Sequence, residues 1–449
     1  MFFHQKFFLI FSQSIGLPCL QKLFYLCILI FFITLRGESQ LNKIFFNMFH
    51  NRQITQDIYY VGVNDRQKVK FENLVPLYNG VSYNAYLVLD EKTALIDTVD
   101  IHFGEILVDK IQSQLQGRDL DYLIINHMEP DHSGSIRLLR KYFPNLVIVG
   151  NERALDMVEG FYGIGGATLK IQDEQILSLG RHQLQFFLTP MVHWPETMMT
   201  YDMKEKILFS GDAFGCFGSL DGGVIDTELD LDRYWEEMYR YYANIIGKYG
   251  SPVQKAIKKL APVPFEIICS THGPVWKAYR QKAVDIYDRL SRFEAEEGVV
   301  IVYGSMYGTT ELMAETVAQG LSEAGIKPVI VHNVSNQDLS VILSDIYKYR
   351  GCIMGSPTYN NGLFPELEDL IKKIESRGVK NRIFGCFGSY SWSGAAVKNL
   401  SEFAHHMSWK MVEQTVEEKQ GLKKDNYELC LKLGHQVASL LIDTQQKNN

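Results

Sequence analysis

The segment Asn126–Ser133 reads NHMEPDHS. It follows the apolar run YLII at 122–125 and precedes a helix predicted from near Gly134. His127, Glu129, Asp131 and His132 therefore share one short loop at the carboxyl end of a strand. On a loop, positions i, i+2, i+4 and i+5 can converge, whereas a helix would splay them. Two imidazoles and two carboxylates this close form a mixed nitrogen and oxygen ligand set for a metal.

The same placement recurs further along the chain. His193 follows the strand QFFLTP at 185–190, Asp212 ends ILFSGD at 207–212, and His272 follows EIICST at 266–271. A lone histidine is more often a satisfied side chain than a ligand. Four strand-end loops that each offer a ligand are hard to explain that way. The remaining strands of this half are VSYNAYLVL at 81–89, TALID at 93–97, LVIVG at 146–150 and HQLQFFL at 182–188. Helices are predicted near 230–247 and 275–293. Hairpin-like and strand–helix units are mixed, which predicts an α+β sandwich rather than a simple doubly wound sheet.

The pattern changes at EAEEG, residues 294–298, and the division between two domains is placed at about 297. From Val299 strands and helices alternate regularly: VVIVYG, TELMAETVAQGL, PVIVH, GCIMGS and RIFGCFGS mark the order. That alternation predicts a parallel sheet covered on both faces. Three polar loops follow its strands: GSMYGTT at 304–310, SPTYNNG at 356–362 and GSYSWSG at 388–394. The first opens a helix, so its backbone N–H groups and the hydroxyls of Ser305, Thr309 and Thr310 can hold a phosphate. No Gly-Lys-Ser/Thr follows and no GxGxxG is present, which argues against a P-loop and a dinucleotide. A Ser/Thr-rich turn by itself is more often a helix cap than a phosphate site. Gly388 and Gly394 flank Trp392 and suggest close approach of a ligand.

The spacing His127, Glu129, Asp131, His132 resembles the HxHxDH motif of the metallo-β-lactamase superfamily, with Glu129 in place of the second histidine. A carboxylate there makes the site harder and favours iron over zinc. Joined to a flavodoxin-like half, this is similar to the flavodiiron proteins, over about residues 48–445. The resemblance implies a metallo-β-lactamase-like αβ/βα sandwich followed by a flavodoxin-like doubly wound sheet. It implies two non-haem iron ions, one held by His127, Glu129 and His193 and the other by Asp131 and His272. Asp212 would bridge them, and His132 matches a position that either ligates the second iron or swings away. It implies FMN, with a phosphate loop of Ser305, Met306, Tyr307, Gly308, Thr309 and Thr310. The ring would lie against Ser356, Pro357, Thr358, Tyr359, Asn360 and Gly362 and against Ser389, Tyr390, Ser391, Trp392 and Gly394.

The implied activity is reduction of dioxygen to water or of nitric oxide to nitrous oxide. Two ferrous ions and one reduced flavin together hold the four electrons that one dioxygen needs. The resemblance also implies a head-to-tail homodimer, or a dimer of dimers, and an external donor such as a rubredoxin. Two other readings keep the fold: a metal-dependent hydrolase with a regulatory flavodoxin-like domain, and an electron carrier with a vestigial first domain. Glu129 speaks against the hydrolase, and the full ligand set speaks against the carrier.

Composition fits this picture. The formal net charge is −7, without the basic excess that nucleic-acid binding or a polybasic membrane surface requires. Residues 1–47 hold 10 of the 26 phenylalanines and one acidic residue, Glu38. Within them Leu23–Leu35 is uncharged, short for a membrane span and closer to a signal-peptide core. This leader is expected to be dispensable or absent from the working protein. The alternative is an exported or membrane-tethered form. From Met48 onward the net charge is −10, as for an acidic cytoplasmic enzyme.

The seven cysteines show no CxxC pair, which points to a reducing compartment and argues strongly against a four-cysteine metal module. Cys216 and Cys269 are read as buried small hydrophobes. Tyr239, Tyr241 and Tyr242 are read as a packed helix face, and Met198, Met199 and Met203 as core filler. Glu417–Lys424 is read as a solvated charged turn, and the tail QQKNN as lacking structure.

Overall fold

The computed structural model describes residues 51–448. The expectations about residues 1–47, and about Met48 as the start of the folded body, lie outside the described residues. Two sheets build the first half. One has seven strands in the order Arg52–Thr55, Ile58–Tyr60, Tyr86–Leu89, Thr93–Ile96, Tyr122–Ile124, Val147–Gly150 and Thr168–Lys170. The other runs Ile176–Ser178, Gln183–Leu188, Met198–Asp202, Ile207–Gly211 and Ile267–Ser270. Each begins antiparallel and ends parallel, as a mixed αβ/βα sandwich requires.

Asn126 ties the sheets together where the motif begins. Its carbonyl accepts from Met198 N at 3.0 Å and its side-chain oxygen accepts from Thr200 Oγ1 at 2.7 Å. The strand Met198–Asp202 was not anticipated, because all five of its residues are buried and no alternation is left to read. Met198 and Met199 do fill the core, but Met203 lies outside it at 45% exposure.

VSYNAYLVL is two strands, not one. Val81–Tyr83 pairs with Val63–Asp65, while Tyr86–Leu89 joins the large sheet. The break falls at Asn84, whose amide donates to the carbonyls of Ser270 and Gly273, both at 2.9 Å, and so fastens the chain beside the His272 loop.

The third sheet is parallel throughout, in the order Val329–Asn333, Glu296–Tyr303, Tyr349–Pro357, Ile383–Tyr390. Lys410–Met411 and Val416–Lys419 both extend it beyond Ile383–Tyr390. Within this half the strand order is 2-1-3-4-5, a doubly wound order whose switch point lies between the first and third strands. Ligands of such sheets bind outside the strand carboxyl ends at that point. The helices Thr309–Glu323 and Lys424–Asn448 pack closely because Gly320 and Gly434 each carry no Cβ; one would stand 2.4 Å from Leu431 O, the other 2.5 Å from Val317 O.

Two expectations near the end of the chain need correction. The last helix runs to Asn448, so the tail is not without structure. The segment 417–424 is not a wholly solvated turn: Glu418 is 1% exposed and accepts from Lys423 N at 2.9 Å and Asn426 Nδ2 at 3.0 Å.

Polar contacts join the two halves. Arg240 Nη1 donates to Ser340 Oγ at 3.2 Å, and Arg377 donates to the carbonyls of Ala243 and Asn244 at 3.0 and 3.1 Å. The helix Asp232–Tyr241 loosens into a π-turn over Tyr242–Ile246, the segment that Arg377 grips.

Candidate functional site

The metal-binding candidates come together at one rim of the sandwich in two adjoining groups. His127, Glu129, His193 and Asp212 form one; Asp131, His132 and His272 form the other. All seven side chains are buried. Glu129 caps a single helical turn, Pro130–Ser133, with proline at its first position, where no N–H is needed. Asp131 and His132 therefore stand on a turn of helix and not on an open loop. One turn is too short to splay them: His132 Nε2 lies 3.4 Å from Asp131 Oδ2.

Asp212 stands between the groups. Its Oδ2 is 3.1 Å from His193 Nε2 and 3.6 Å from His127 Nε2. Its Oδ1 is 3.0 Å from His132 Nε2 and 3.8 Å from His272 Nε2. Thr271 Oγ1 donates to the same Oδ1 at 2.5 Å and fixes the carboxylate's rotation. Glu129 Oε2 completes the first group at 3.3 Å from His127 Nε2 and 3.2 Å from His193 Nε2. His132, left conditional by the sequence, sits with its Nε2 only 3.0 Å from that of His272.

Hydrogen bonds on the far side of two rings turn their Nε2 lone pairs inward. His127 Nδ1 donates to Glu196 Oε1 at 2.8 Å, and His272 Nδ1 donates to Ser82 O at 2.7 Å. Partners of this kind fix the tautomer and orientation of metal-binding imidazoles. Several buried polar atoms have no hydrogen-bond partner: both oxygens of Asp131, Nδ1 of His132, and the hydroxyls of Tyr83 and Tyr241. Burying a carboxylate without a partner is costly, so the Asp131 pair fits a cation. The donor set suits two cations that share one carboxylate.

Electrostatics point the same way. Burial alone would lower the His127 imidazolium, yet Asp212, Glu129 and Glu196 hold it well above the usual range. Burial likewise opposes charge on His132 and His193, but Asp131 and Asp212 for the first, and Asp212 and Glu129 for the second, raise both to about 9. Burial would push Glu129 and Asp212 up, but the surrounding imidazoles hold both below the carboxylate range. The pocket attracts positive charge strongly, and protons and metal ions compete for the same lone pairs.

Aromatic rings wall the second group. Phe71, Tyr241 and Tyr83 lie 5.3, 5.7 and 6.0 Å from the His272 ring. Tyr241 is fully buried, as a packed helix face predicts, but its unpartnered hydroxyl belongs to this wall. Glu72, exposed on its outer side, is pushed up to about 7 by partial loss of water and by the charge of Glu129.

The three polar loops also meet. Thr310 Oγ1 and Ser389 Oγ are 2.9 Å apart, and Thr358 N donates to Ser389 O at 2.7 Å. A cavity between them is lined by Ser305, Met306, Tyr307, Thr309, Thr310, Pro357, Thr358, Ser389, Tyr390 and Ser391. Gly308 leads into the helix with φ +93°, and its N–H donates to Ser305 Oγ at 3.1 Å. Ser356, Asn360, Gly362 and Gly394 do not line the cavity. Ser356 Oγ accepts from Phe364 N at 2.9 Å, a structural use. Tyr359 and Trp392 stand outside it, 42% and 87% exposed, so Trp392 is not a packing aromatic. Gly388 has a packing reason of its own, whereas Gly394 faces only the end of a flexible side chain. A Cβ on the first would crowd Ala396 at 3.0 Å, and on the second the Glu417 carboxylate at 2.6 Å.

Sequence reasoning missed Glu72, Ser82, Glu196, Thr271 and, in the second cavity, Gln420. Glu196 and Thr271 each lie within three residues of a candidate ligand, which is the signal that could have found them. Ser82 acts through its backbone carbonyl, which no residue identity reveals.

Comparison with known proteins adds a separate line of observation. Residues 81–273 match the ODP family beta lactamase model and residues 301–434 match the flavodoxin model. The anaerobic nitric oxide reductase flavorubredoxin of Escherichia coli is 31% identical over 391 residues, 86% of this chain and 81% of that protein. The rubredoxin oxygen:oxidoreductase of Desulfovibrio gigas superposes with a TM-score of 0.83 at 30% identity, over 88% of this chain and 99% of that one. The flavodiiron protein of Giardia intestinalis superposes at 0.85 with 26% identity, over 89% and 98%.

Proposed function

The chain belongs to the flavodiiron proteins, and from that premise we propose that it is an oxidoreductase that reduces dioxygen to water, nitric oxide to nitrous oxide, or both. The observation that carries the reading is Asp212, whose two oxygens address two separate groups of buried ligands. The division near residue 297 then separates an iron-binding half, 48–297, from an FMN-binding half, 298–449. His127, Glu129 and His193 would hold one iron, and Asp131 and His272 the other, with Asp212 shared. His132 joins the second group on its distance to Asp212. When bound, the two irons and the flavin supply the electrons and the Lewis acidity.

The protein's own groups do the rest. Glu196 and Ser82 orient the imidazoles. Phe71, Tyr83 and Tyr241 keep bulk water from the Asp131 side. The Tyr241 hydroxyl is free to donate a hydrogen bond to a small bound molecule.

On the flavin side, Ser305, Thr309 and Thr310 would hold the phosphate. The backbone of 356–360 and 389–394 would face the ring edge. Tyr307 and Trp392, 95% and 87% exposed, leave an apolar rim open to a partner. Val69, Leu74 and Tyr78, 56–74% exposed, lie on and around the hairpin that carries Phe71, whose ring is 5.3 Å from His272. Two such patches on one chain support a head-to-tail homodimer that sets the flavin of one copy beside the metal pair of the other. A rubredoxin or similar carrier would supply electrons. Five buried free cysteines favour a reducing compartment, the cytoplasm. No helix among the described residues is long and apolar enough to cross a membrane.

Metal and flavin analysis of purified protein, with anaerobic gas-consumption assays on the reduced form, tests the proposal. Two irons and one FMN per chain with turnover of either gas support it. Zinc without flavin, with esterase or nuclease activity, would return the hydrolase reading.

A further inference from the structure

A cavity of about 670 Å³ opens where the first half of the chain meets the second. Its walls come from the helix Asp232–Tyr241, from the helix Arg280–Ser291 and the residues after it, and from Lys348 of the flavodoxin-like half. None of the grouped metal ligands lines it. Lys348 ends the helix Leu339–Lys348 and precedes the strand Tyr349–Pro357. The flavin-side cavity lies at Pro357, the other end of that strand, roughly 25 Å away. Neither candidate site accounts for this space, whose volume falls among those of small-molecule sites.

Cations and carboxylates both line it, but they are not evenly matched in contact. The two arginines are paired. Arg289 Nη2 lies 3.3 Å from Glu296 Oε1 and donates to the Tyr239 hydroxyl at 3.1 Å. Arg292 Nη2 lies 2.5 Å from Asp288 Oδ2 and 3.1 Å from Glu294 Oε2. Lys282 and Lys348 make no ion pair among the described residues. Each ammonium lies over an aromatic ring instead. Lys282 Nζ is 4.1 Å from the centre of the Trp235 ring, and Lys348 Nζ is 4.9 Å from that of Tyr239. A ring face holds an ammonium in place without neutralising it. Trp235 is itself fixed, stacked on the buried Trp276 at 4.6 Å and 18°. Trp235 and Tyr239 are four residues apart on one helix, so their Cβ atoms are about 6 Å apart on one face. Two unpaired ammoniums, one from each half, therefore face the same space about one helical turn apart.

We propose that this cavity is an anion site for a phosphate group, free or carried by a small ester, held by Lys282 from one side of the seam and Lys348 from the other. A phosphate has several acceptor oxygens, so one group can accept from both ammoniums, which act as point charges. Trp235 and Ile286 offer apolar surface beside it for the body of an ester. The bound anion bridges the two halves and stabilises the folded chain by mass action. The site goes beyond the redox reading and holds whichever metals the first half takes.

The test is calorimetric titration of the FMN-loaded protein with inorganic phosphate and with adenosine monophosphate, at constant ionic strength in chloride, beside thermal melts. FMN keeps the flavin phosphate loop filled. Each probe should bind once per chain and raise the melting temperature. Lys282→Gln and Lys348→Gln should each weaken binding about tenfold, as loss of one unit charge predicts, and the double variant should show none. Lys348→Arg keeps the charge and should retain most of the affinity. Lys258→Gln removes an exposed charge outside the cavity and should match the wild type. Binding should weaken as chloride rises. Tighter binding of adenosine monophosphate than of phosphate marks an ester as the ligand, and equal binding marks free phosphate; both keep the clamp. Absence of binding by either probe at millimolar concentration overturns the proposal, as does binding that survives in the double variant. Should Lys348→Gln fail to fold, Lys282→Gln, at an exposed position, decides alone: unchanged affinity there overturns the site.

Discussion

The two candidate sites are built on opposite plans. The candidate metal centre is made of side chains: seven buried groups on four strand-end segments, with His127 and His272 oriented by hydrogen bonds behind their rings. The flavin site is made largely of backbone and small hydroxyls on three loops, with Tyr307 and Trp392 projecting into solvent. A side-chain site concentrates its energy in a few groups, so single changes should damage it severely. A backbone site spreads its contacts over many N–H groups that mutation does not remove.

The largest effect is expected at Asp212. Asp212→Asn leaves a group that can face only one of the two ligand sets as an acceptor. Iron content should fall from two to one or fewer per chain, and gas turnover by at least about 10³-fold, since the pair must act together. FMN should remain bound at full stoichiometry. Glu129→Ala should likewise abolish turnover while sparing the flavin. Iron analysis and flavin absorbance on the same sample check this, and loss of FMN together with iron would refute the separation of the two sites.

Proton linkage comes next. Neighbouring carboxylates raise His132 and His193 to about 9, against about 6.5 for a free imidazole. A raised value contributes stability that is full below pH 6.5 and is lost as pH rises through 9. The metal-free protein should therefore lose several kcal/mol between those limits, on the order of 3 for each of the two imidazoles. Glu129 and Asp212, held low, contribute throughout that window. Iron-loaded protein should be nearly flat, because metal replaces the protons. Urea unfolding at pH 6, 7.5 and 9 with and without metal measures it. A flat metal-free profile would mean that the imidazoles are not charged by their neighbours.

Glu196→Gln probes the support behind one ligand. It keeps the size of Glu196 and removes the charge that receives the His127 Nδ1 proton. Changes to such partners weaken metal affinity about 10–100-fold. Competition with a calibrated chelator would show it, and unchanged affinity would mean that packing against Trp194, 5.3 Å from the His127 ring, is sufficient.

The same division explains what the sequence disclosed. Ligands show in a sequence because their chemistry is carried by residue identity at strand ends, and His127, Glu129, His193 and Asp212 do meet. Regular β-α alternation was legible from Val299 for the same reason, since each strand is a continuous apolar run. What stayed hidden was held by position. Met198–Asp202 is buried on both faces and has no period. The break at Asn84 depends on carbonyls of a strand nearly two hundred residues away. Glu72 comes to the rim only through the hairpin of Lys70–Phe71 and Val75–Pro76, at a positive φ that glutamate disfavours. Gly388 is ambiguous in a sequence because tight packing, here against Ala396 and Ser356, and ligand approach demand the same missing Cβ.

The smallest effect is expected at Trp392, and it is the most discriminating for the flavin site. At 87% exposure the ring buries almost nothing, so Trp392→Ala should change folding stability by no more than about 0.5 kcal/mol. If the indole covers the flavin ring, FMN affinity should fall up to about tenfold, the range of an aromatic stacking contact of 0.5–1.5 kcal/mol. Trp392→Phe should restore most of it. Fluorescence titration of the apoprotein with FMN, beside a thermal melt of each variant, separates the two quantities. The titration should be repeated at protein concentrations above and below dimer dissociation, because an exposed ring at a subunit contact would affect FMN only when the partner is present. An unchanged affinity at every concentration would leave the phosphate loop and the backbone of the other two loops as the whole of the site, and the contrast with the metal centre would be sharper still.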